Sequence, residues 1–264
     1  MRTNYALILG ASSGFGRAIA ITLAQDGVNI IGVHLDRATT MPLVEETISK
    51  IKETGAEAHF FNVNAADANR RKDILDTVEK IFSGKEDPTI KVFVHSLAFG
   101  TLRNFIDDDP EKEVKQKQME MTIDVMANSL VYWTQDIVRR NLMAPGGKIF
   151  ALTSSGGSKV THYYGAVSAA KACLESHIRQ LAIELTSKGI STSAILAGVT
   201  NTPALRKIPN HERIISSALD RNPHGRLTTP EDISGIILDI YKDNLTWMTG
   251  NVIRVDGGEN IVEL

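Results

Sequence analysis

Cysteine is almost absent from this sequence, since Cys173 is the only one among 264 residues. One cysteine excludes an internal disulfide framework and a cysteine-rich zinc or iron–sulfur site, and we expect no metal. The 29 Lys and Arg nearly balance the 31 Asp and Glu, so the net charge is −2. This balance gives no electrostatic reason to expect a nucleic acid or an anionic membrane as a partner. Aromatic residues make up only 6% of the chain, so no stacking platform for single strands is expected.

Long apolar runs are also lacking. No run approaches the roughly 20 residues that a membrane-spanning helix needs. Residues 1–5 lead directly into a strand-like segment, without the apolar core or the small-residue cleavage site of a signal peptide. We therefore expect a cytoplasmic protein with no membrane contact.

Short apolar runs rich in Val and Ile alternate with amphipathic segments of helical length. The predicted strands are 6–9, 29–33, 58–62, 92–95, 148–153, 191–196 and 251–255. The predicted helices are 16–25, 41–54, 72–82, 114–141, 167–186 and 231–241. Near-continuous apolar strands suit a parallel sheet that is buried on both faces. The alternation predicts an α/β fold, a Rossmann-type doubly wound parallel sheet of about seven strands flanked by helices.

Two segments interrupt this alternation. Residues 100–113 carry an acidic run and Pro110, and are predicted to form a loop and the start of a helix. Residues 198–229 form a long connection with three prolines, and such connections are often functional lids. No repeat or linker composition divides the chain, so we expect residues 1–264 to form one nucleotide-binding domain with a helical substrate lid at about 198–229.

A glycine-rich turn follows the first predicted strand and opens the first predicted helix. Glycines at this place permit a tight turn and let backbone N–H groups approach a pyrophosphate at the helix N-terminus. A plain strand-to-helix turn is the alternative, but its position in a strand–helix–strand unit favours dinucleotide binding. The predicted contacts are Gly10, Ser12, Ser13, Gly14, Phe15 and Gly16.

The spacing of these glycines, G-x-x-x-G-x-G, resembles that of the short-chain dehydrogenase/reductase family. The segment 92–98 occupies the place of that family's Asn-Asn-Ala-Gly strand end, and the segment 255–258 resembles its C-terminal strand and turn. The resemblance extends over nearly the whole chain. It implies an oxidoreductase that uses a nicotinamide cofactor.

A tyrosine and a lysine narrow the resemblance. The family's usual Tyr-x-x-x-Lys is absent, because Val167 stands four residues before Lys171. Tyr164 precedes Lys171 by seven, which resembles the divergent subgroup of enoyl-acyl-carrier-protein reductases. Many members of that subgroup carry a second tyrosine ten residues earlier, where this chain has Ser154. The resemblance implies that Tyr164, Lys171 and Ser154 are catalytic, and a serine there also fits an ordinary ketone reductase.

These residue types suit the chemistry that the resemblance implies. A free tyrosine titrates near ~10. A neighbouring lysine ammonium stabilises the phenolate and brings its pKa closer to the working pH. In enoyl reduction, hydride adds to the β-carbon and negative charge develops on the thioester oxygen, where the Tyr164 hydroxyl would stabilise the enolate.

The remaining cofactor contacts are also implied by the resemblance. An acidic residue after the second strand would bind the ribose diol of NAD, whereas a basic one favours the 2′-phosphate of NADP. His34 stands at the family's aspartate position, Asp36 is two residues later, and Arg37 follows it. We favour NADP(H), with NAD(H) as the alternative. The further predicted contacts are Asn62, Val63, Ser96, Leu97, Ala98, Lys171, Gly198, Thr200 and Thr202.

Three functions remain open at this point. The first is reduction of the trans-2 double bond of an acyl thioester, carried by acyl carrier protein or coenzyme A, in fatty-acid synthesis. The second is a carbonyl reductase or alcohol dehydrogenase of the same family. The third is a non-catalytic NADP(H)-binding sensor or scaffold. Family members commonly assemble as tetramers, so the resemblance also implies a homo-oligomer.

Overall fold

The computed structural model describes residues 3–243 and 245–263. Its centre is a seven-stranded parallel sheet in the order β3-β2-β1-β4-β5-β6-β7. The strands are β1 Asn4–Leu9, β2 Asn29–His34, β3 Ala58–Asn62, β4 Thr89–His95, β5 Lys148–Ser154, β6 Ser191–Ala197 and β7 Asn251–Val255. The predicted α/β fold with seven strands is confirmed, and each predicted strand overlaps an observed one.

Helices cover both faces of the sheet, so its two sides face two separate apolar clusters. They are α1 Gly14–Gln25, α2 Met41–Glu53, α3 Ala68–Phe82, α4 Gln116–Ile123, α5 Ser129–Arg139, α6 Gly165–Leu185, α7 His211–Arg221 and α8 Pro230–Lys242. Among the described residues, no helix combines the length and the apolar character that crossing a membrane requires. The strand order reverses beside β1, which leaves a crevice at the carboxyl ends of β1 and β4.

The predicted helix 114–141 is not one regular helix. It begins at Gln116 and is divided by a π-helical turn, Asp124–Asn128, between α4 and α5. The Ser129 hydroxyl donates to the Val125 carbonyl (2.8 Å) and also contacts Nε2 of the buried His95 (2.8 Å). A side chain that bonds into the ladder and a partner from the sheet together account for the wider turn. Such turns often occur at functional sites.

The segment 198–229, where we expect a helical lid, contains helical structure. It holds a short 3-10 helix, Leu205–Lys207, and then α7. It ends at α8, where Thr229 and Asp232 form a capping box and Pro230 opens the helix. In the earlier segment 100–113, the regular element is the 3-10 helix Pro110–Lys112.

Lys148 opens β5 as a buried cation. It is 1% exposed, and its ammonium has no hydrogen-bond partner among the described residues. Burial lowers the pKa of Lys148 to about 8, and the charge of Lys91 acts in the same direction. An unpaired buried charge destabilises a fold. We expect Lys148→Met to raise the free energy of unfolding by about 1–2 kcal/mol at pH 7, measured by denaturant titration.

The pH dependence of that gain is a further check. Folded Lys148 loses its proton near pH 8, whereas an unfolded lysine holds its proton up to about 10.5. Between these values the unfolded chain binds more protons, so the wild-type fold gains stability as the pH rises. The advantage of Lys148→Met should therefore shrink between pH 8 and 10.5, and a constant advantage would contradict the assignment.

Candidate active site

A cavity of about 300 Å³ lies at the carboxyl ends of the central strands. Its walls come from the ends of β4, β5 and β6, the start of α6 and the segment after β6. This is the place where open α/β sheets bind ligands. Ten predicted site residues line it: Phe15, Ser96, Leu97, Ala98, Ser154, Tyr164, Lys171, Gly198, Thr200 and Thr202.

The other predicted cofactor contacts lie outside the cavity lining, at or just after the carboxyl ends of β1, β2 and β3: Gly10, Ser12, Ser13, Gly14, Gly16, His34, Arg37, Asn62 and Val63. The two groups meet at the glycine turn. A methyl group on Gly10 would lie 2.4 Å from the Ser96 carbonyl oxygen, and one on Gly14 would lie 3.4 Å from Thr202. The structure therefore places both groups along one continuous strip.

Glycine is required at two positions of the turn for different reasons. Gly10 has φ +86°, a left-handed conformation that L-residues with side chains rarely adopt. A Cβ on Gly16 would lie 2.1 Å from the Gly10 carbonyl oxygen, so only a residue without one lets α1 start this close to β1. Ser13, the residue before α1, makes no side-chain cap. The helix N-terminus is thus left to an external partner such as an anion.

At the end of β2, His34 and Asp36 form a pair. The His34 Nδ1 atom lies 2.9 Å from an Asp36 carboxylate oxygen. Burial acts to raise the pKa of Asp36, but hydrogen bonds from Ser12 and from other partners, His34 among them, lower it. The Asn62 amide brackets the Asp36 backbone by accepting from its N–H (2.9 Å) and donating to its carbonyl (3.0 Å). Arg37 is exposed and forms no ion pair within 3–243 and 245–263.

Val63 has a backbone role at the same edge. Its N–H donates to the His34 carbonyl at 2.8 Å, which extends the β2–β3 pairing by one residue. Its side chain packs against the apolar core on the α5 and α6 side of the sheet. Val63 therefore joins the ends of β2 and β3 at the edge where Asp36 lies.

Tyr164 occupies the N-cap position of α6, and its side chain lines the cavity. Gly156 lies against its ring, since a Cβ there would be 2.4 Å from a ring carbon. The Ser154 hydroxyl is buried beside Tyr164 and makes no well-formed hydrogen bond with a described residue. Burial raises the pKa of Tyr164, and the neighbouring Ser154 acts in the opposite sense. The site thus presents a protonated phenol and a hydroxyl that is available to a ligand oxygen.

Lys171 lies almost two helical turns after Tyr164 and is buried. Its ammonium donates to the Leu152 carbonyl at 2.6 Å. Burial lowers the pKa of Lys171 to about 8, and the charge of Glu175 opposes this shift. Lys171 is therefore a buried cation in the cavity wall, and it loses its proton near pH 8.

The chain after β6 is held by a buried acid that the sequence analysis missed. Both Glu259 carboxylate oxygens accept from the Val199 N–H, at 3.1 and 3.2 Å. Within the loop, Thr200 donates to the Gly198 carbonyl (3.1 Å) and the Thr202 N–H to the Thr200 carbonyl (2.7 Å). Burial raises the pKa of Glu259. The available signal in the sequence was that a charged residue, Glu259, comes directly after the turn that follows the last strand.

The segment after β6 also covers the cavity. Its apolar residues Ala204, Leu205, Ile208 and Ile214 line the cavity. Lys207 belongs to the same wall. Most of this wall is apolar, which suits a hydrocarbon rather than a sugar.

A family model described as enoyl-(acyl carrier protein) reductase matches residues 10–260. The chain belongs to this family. The match spans the glycine turn, the Tyr164–Lys171 pair and the segment after β6, so it includes every element of the candidate site.

Individual relatives of this short-chain dehydrogenase/reductase reduce different groups. A 1-cyclohexenylcarbonyl-CoA reductase of Streptomyces collinus is 28% identical, over 99% of this chain and 88% of its own length. A 3-oxoacyl-(acyl-carrier-protein) reductase of Thermotoga maritima is 27% identical, over 96% of each chain. The crystal structure of an enoyl-(acyl-carrier-protein) reductase (NADH) from Aquifex aeolicus VF5 shares the fold, with a TM-score of 0.85 and 23% identity over 100% of this chain and 98% of that one.

The family and its relatives decide the broad activity. The chain is an NAD(P)H-dependent oxidoreductase that acts in enoyl or carbonyl reduction. This result favours an enzyme over the non-catalytic sensor.

Proposed function

We propose that the protein reduces the trans-2 double bond of an acyl thioester. The observation that carries the proposal is Tyr164 at the head of α6, in an apolar cavity, almost two helical turns before the buried Lys171. Tyr164 reaches the cavity as a neutral donor, which an enolate oxygen requires. The family match and the cyclohexenylcarbonyl thioester named for the Streptomyces relative support the same reaction.

The residues present fit a nicotinamide dinucleotide. The absence of a Cβ at Gly16 lets α1 begin directly against the Gly10 carbonyl, and the N-terminus of this helix has no side-chain cap. In our proposal the turn binds the pyrophosphate, the Asp36 region the adenosine ribose, and Lys171 the nicotinamide ribose. The cofactor supplies hydride when it is bound.

The protein's own groups then have distinct tasks in the proposed reaction. Tyr164 donates a hydrogen bond to the thioester oxygen as negative charge develops there. The Lys171 ammonium, buried below it, lowers the cost of that charge. Ser154 supplies a second hydroxyl beside the same oxygen. The segment 198–229 acts as a lid that excludes water and holds the acyl chain against Leu205 and its apolar neighbours.

The preference for NADP(H) stays a prediction. The exposed guanidinium of Arg37 supports it, because a 2′-phosphate needs a cation. The Asp36 carboxylate, held by His34, opposes it and favours the ribose diol of NAD(H). Titration of NADH and NADPH into the purified protein measures the balance directly.

We further propose that the reaction belongs to fatty-acid synthesis in the cytoplasm and that the protein works as a homotetramer. The family match supports the pathway. Residues 1–264 would act as one NAD(P)-binding unit in each subunit. Sedimentation equilibrium of the purified protein tests the oligomeric state.

The decisive experiment compares two thioesters. Purified protein is mixed with NADH or NADPH and crotonyl-CoA, and cofactor absorbance at about 340 nm is followed; acetoacetyl-CoA replaces crotonyl-CoA in a parallel assay. We expect oxidation with crotonyl-CoA and a product saturated at the former double bond. An acyl-carrier-protein thioester is the second substrate form. No oxidation with any enoyl thioester would refute the proposal.

Ketone reduction is the second candidate function. It is favoured by the Ser154 hydroxyl beside Tyr164, which is the arrangement that a ketone reductase uses, and by the Thermotoga relative. Activity on acetoacetyl-CoA with none on crotonyl-CoA would select it.

A further inference from the structure

Two side chains of α6 hold two consecutive residues of β5. The Lys171 ammonium donates to the Leu152 carbonyl at 2.6 Å. One turn later on the same helix, a Glu175 carboxylate oxygen accepts from the Thr153 hydroxyl at 2.7 Å. The next residue of the strand is Ser154, whose buried hydroxyl faces the candidate cavity. The helix α6 thus forms two hydrogen bonds with the end of β5, immediately before the predicted catalytic residue Ser154.

The loop after β5 packs against Lys171 and Glu175. A Cβ on Gly157 would lie 3.3 Å from Cβ of Lys171 and 3.4 Å from a Glu175 carboxylate oxygen. The Glu175 carboxylate is therefore packed between the helix and a peptide segment and is only partly exposed. A charge in this position is screened less than one in open solvent.

Among the described residues around Lys171, Glu175 is the acidic side chain that acts as its counter-ion. From β4, the buried His95 contacts the Ser129 hydroxyl through Nε2, and burial, followed by the charge of Lys171, lowers its pKa to about 3, so it is neutral. From the π-helical turn, Asp124 makes no hydrogen bond with Lys171 among the described residues. Tyr164 is protonated. Glu175 is the group whose charge raises the pKa of Lys171.

We propose that Glu175 is a positioning residue for the reductase: its carboxylate keeps Lys171 in the ammonium form and fixes the strand end that carries Ser154. The inference rests on the proposed function, in which Lys171 binds the nicotinamide ribose as a cation. Nothing in the sequence motifs used above assigns a role to this position. The role follows from the two hydrogen bonds and from the balance of charge.

Two substitutions separate the electrostatic part from the mechanical part. Glu175→Gln removes the charge but keeps an oxygen that accepts from the Thr153 hydroxyl. Thr153→Val removes that hydrogen bond and keeps the charge. The measurement is the affinity for NADH and NADPH from pH 6 to 10, by cofactor fluorescence and without any acyl substrate. It therefore remains valid even if no thioester is ever turned over.

The expected results differ in kind. In the wild type, cofactor affinity falls as Lys171 deprotonates near pH 8, and this fall is the alkaline limb of the pH profile. In Glu175→Gln this limb should move to lower pH by about 0.5–1 unit, since an opposite charge has been lost. In Thr153→Val the limb should stay in place, while kcat with the productive thioester falls about 3- to 10-fold because Ser154 is less well held.

Glu175→Asp provides an independent arm, because its shorter side chain keeps the charge. Its limb should remain within about 0.3 unit of the wild type. Circular dichroism and thermal unfolding verify that each variant is folded. An unshifted limb in Glu175→Gln, or an equal shift in Glu175→Asp and Glu175→Gln, would overturn the proposal. Absence of turnover with an intact pH shift would instead refute the proposed reaction alone.

Discussion

Tyr164→Phe is expected to lower kcat by about 10²- to 10³-fold while the affinity for NAD(P)H changes by less than about twofold. The phenol is the protonated donor in the cavity, and its loss leaves a developing oxyanion without its main hydrogen bond. The ring stays in place against Gly156, so the shape of the cavity is preserved. Steady-state kinetics with the thioester, together with cofactor fluorescence titration, separate the two effects.

The chain offers a matched control next door. Tyr163 is the same residue type, adjacent in sequence, but it does not line the cavity and sits in a left-handed conformation with φ +65°. Tyr163→Phe should keep nearly wild-type kcat. Lys171→Ala should differ from both by weakening cofactor affinity and turnover together. Equal turnover in Tyr164→Phe and the wild type, or the larger loss in Tyr163→Phe, would reverse the assignment.

The fold was predictable because the relevant signal is local. Each buried parallel strand is a short apolar run, and each helix has its own amphipathic period, so the alternation could be seen without knowing any contact. The glycine turn was predictable for the same reason. Its requirement for Gly10 and Gly16 arises from backbone geometry within seven residues of chain. The cavity then follows from the strand order, which brings the turn and the end of β5 to one edge.

Other features depend on partners that are distant in sequence. The π-helical turn at Asp124–Asn128 is associated with a bond between Ser129 and His95, 34 residues apart, and no periodicity announces it. Glu259 reaches back 60 residues to the Val199 N–H. Such long-range hydrogen bonds, made by polar side chains on loops, leave no repeating pattern in a single sequence.

Glu175 falls between these two cases. It is one turn beyond Lys171, so its place on the same face of α6 was deducible from spacing alone. Spacing could not show that the Thr153 hydroxyl of β5 donates to it, or that Glu175 is the counter-charge of Lys171 among the described residues. The sequence alone shows which residue is a helical neighbour of Lys171. How strongly the charge of that neighbour shifts the pKa of Lys171 depends on the side chains that the other helices and strands place nearby.

Gly16→Ala is expected to weaken the binding of NADH and NADPH on the order of 10²-fold or more. The added methyl would lie 2.1 Å from the Gly10 carbonyl oxygen and 2.8 Å from its carbon, and these are backbone atoms that cannot rotate away. The N-terminus of α1 must then move away from β1, which misaligns the amides that are proposed to bind the pyrophosphate. Overpacking of this kind should also lower the free energy of unfolding by about 1–3 kcal/mol.

A second glycine-to-alanine change in the same chain controls for the substitution itself. Gly235 lies inside α8, and a Cβ there meets nothing within 4 Å. Gly235→Ala should leave cofactor affinity unchanged and raise stability by about 0.5–1 kcal/mol, because alanine is the better helix former. Isothermal titration with each dinucleotide and denaturant unfolding measure both variants. If Gly16→Ala binds the cofactor as tightly as Gly235→Ala, the glycine turn does not bind the pyrophosphate, and the proposed cofactor site is wrong.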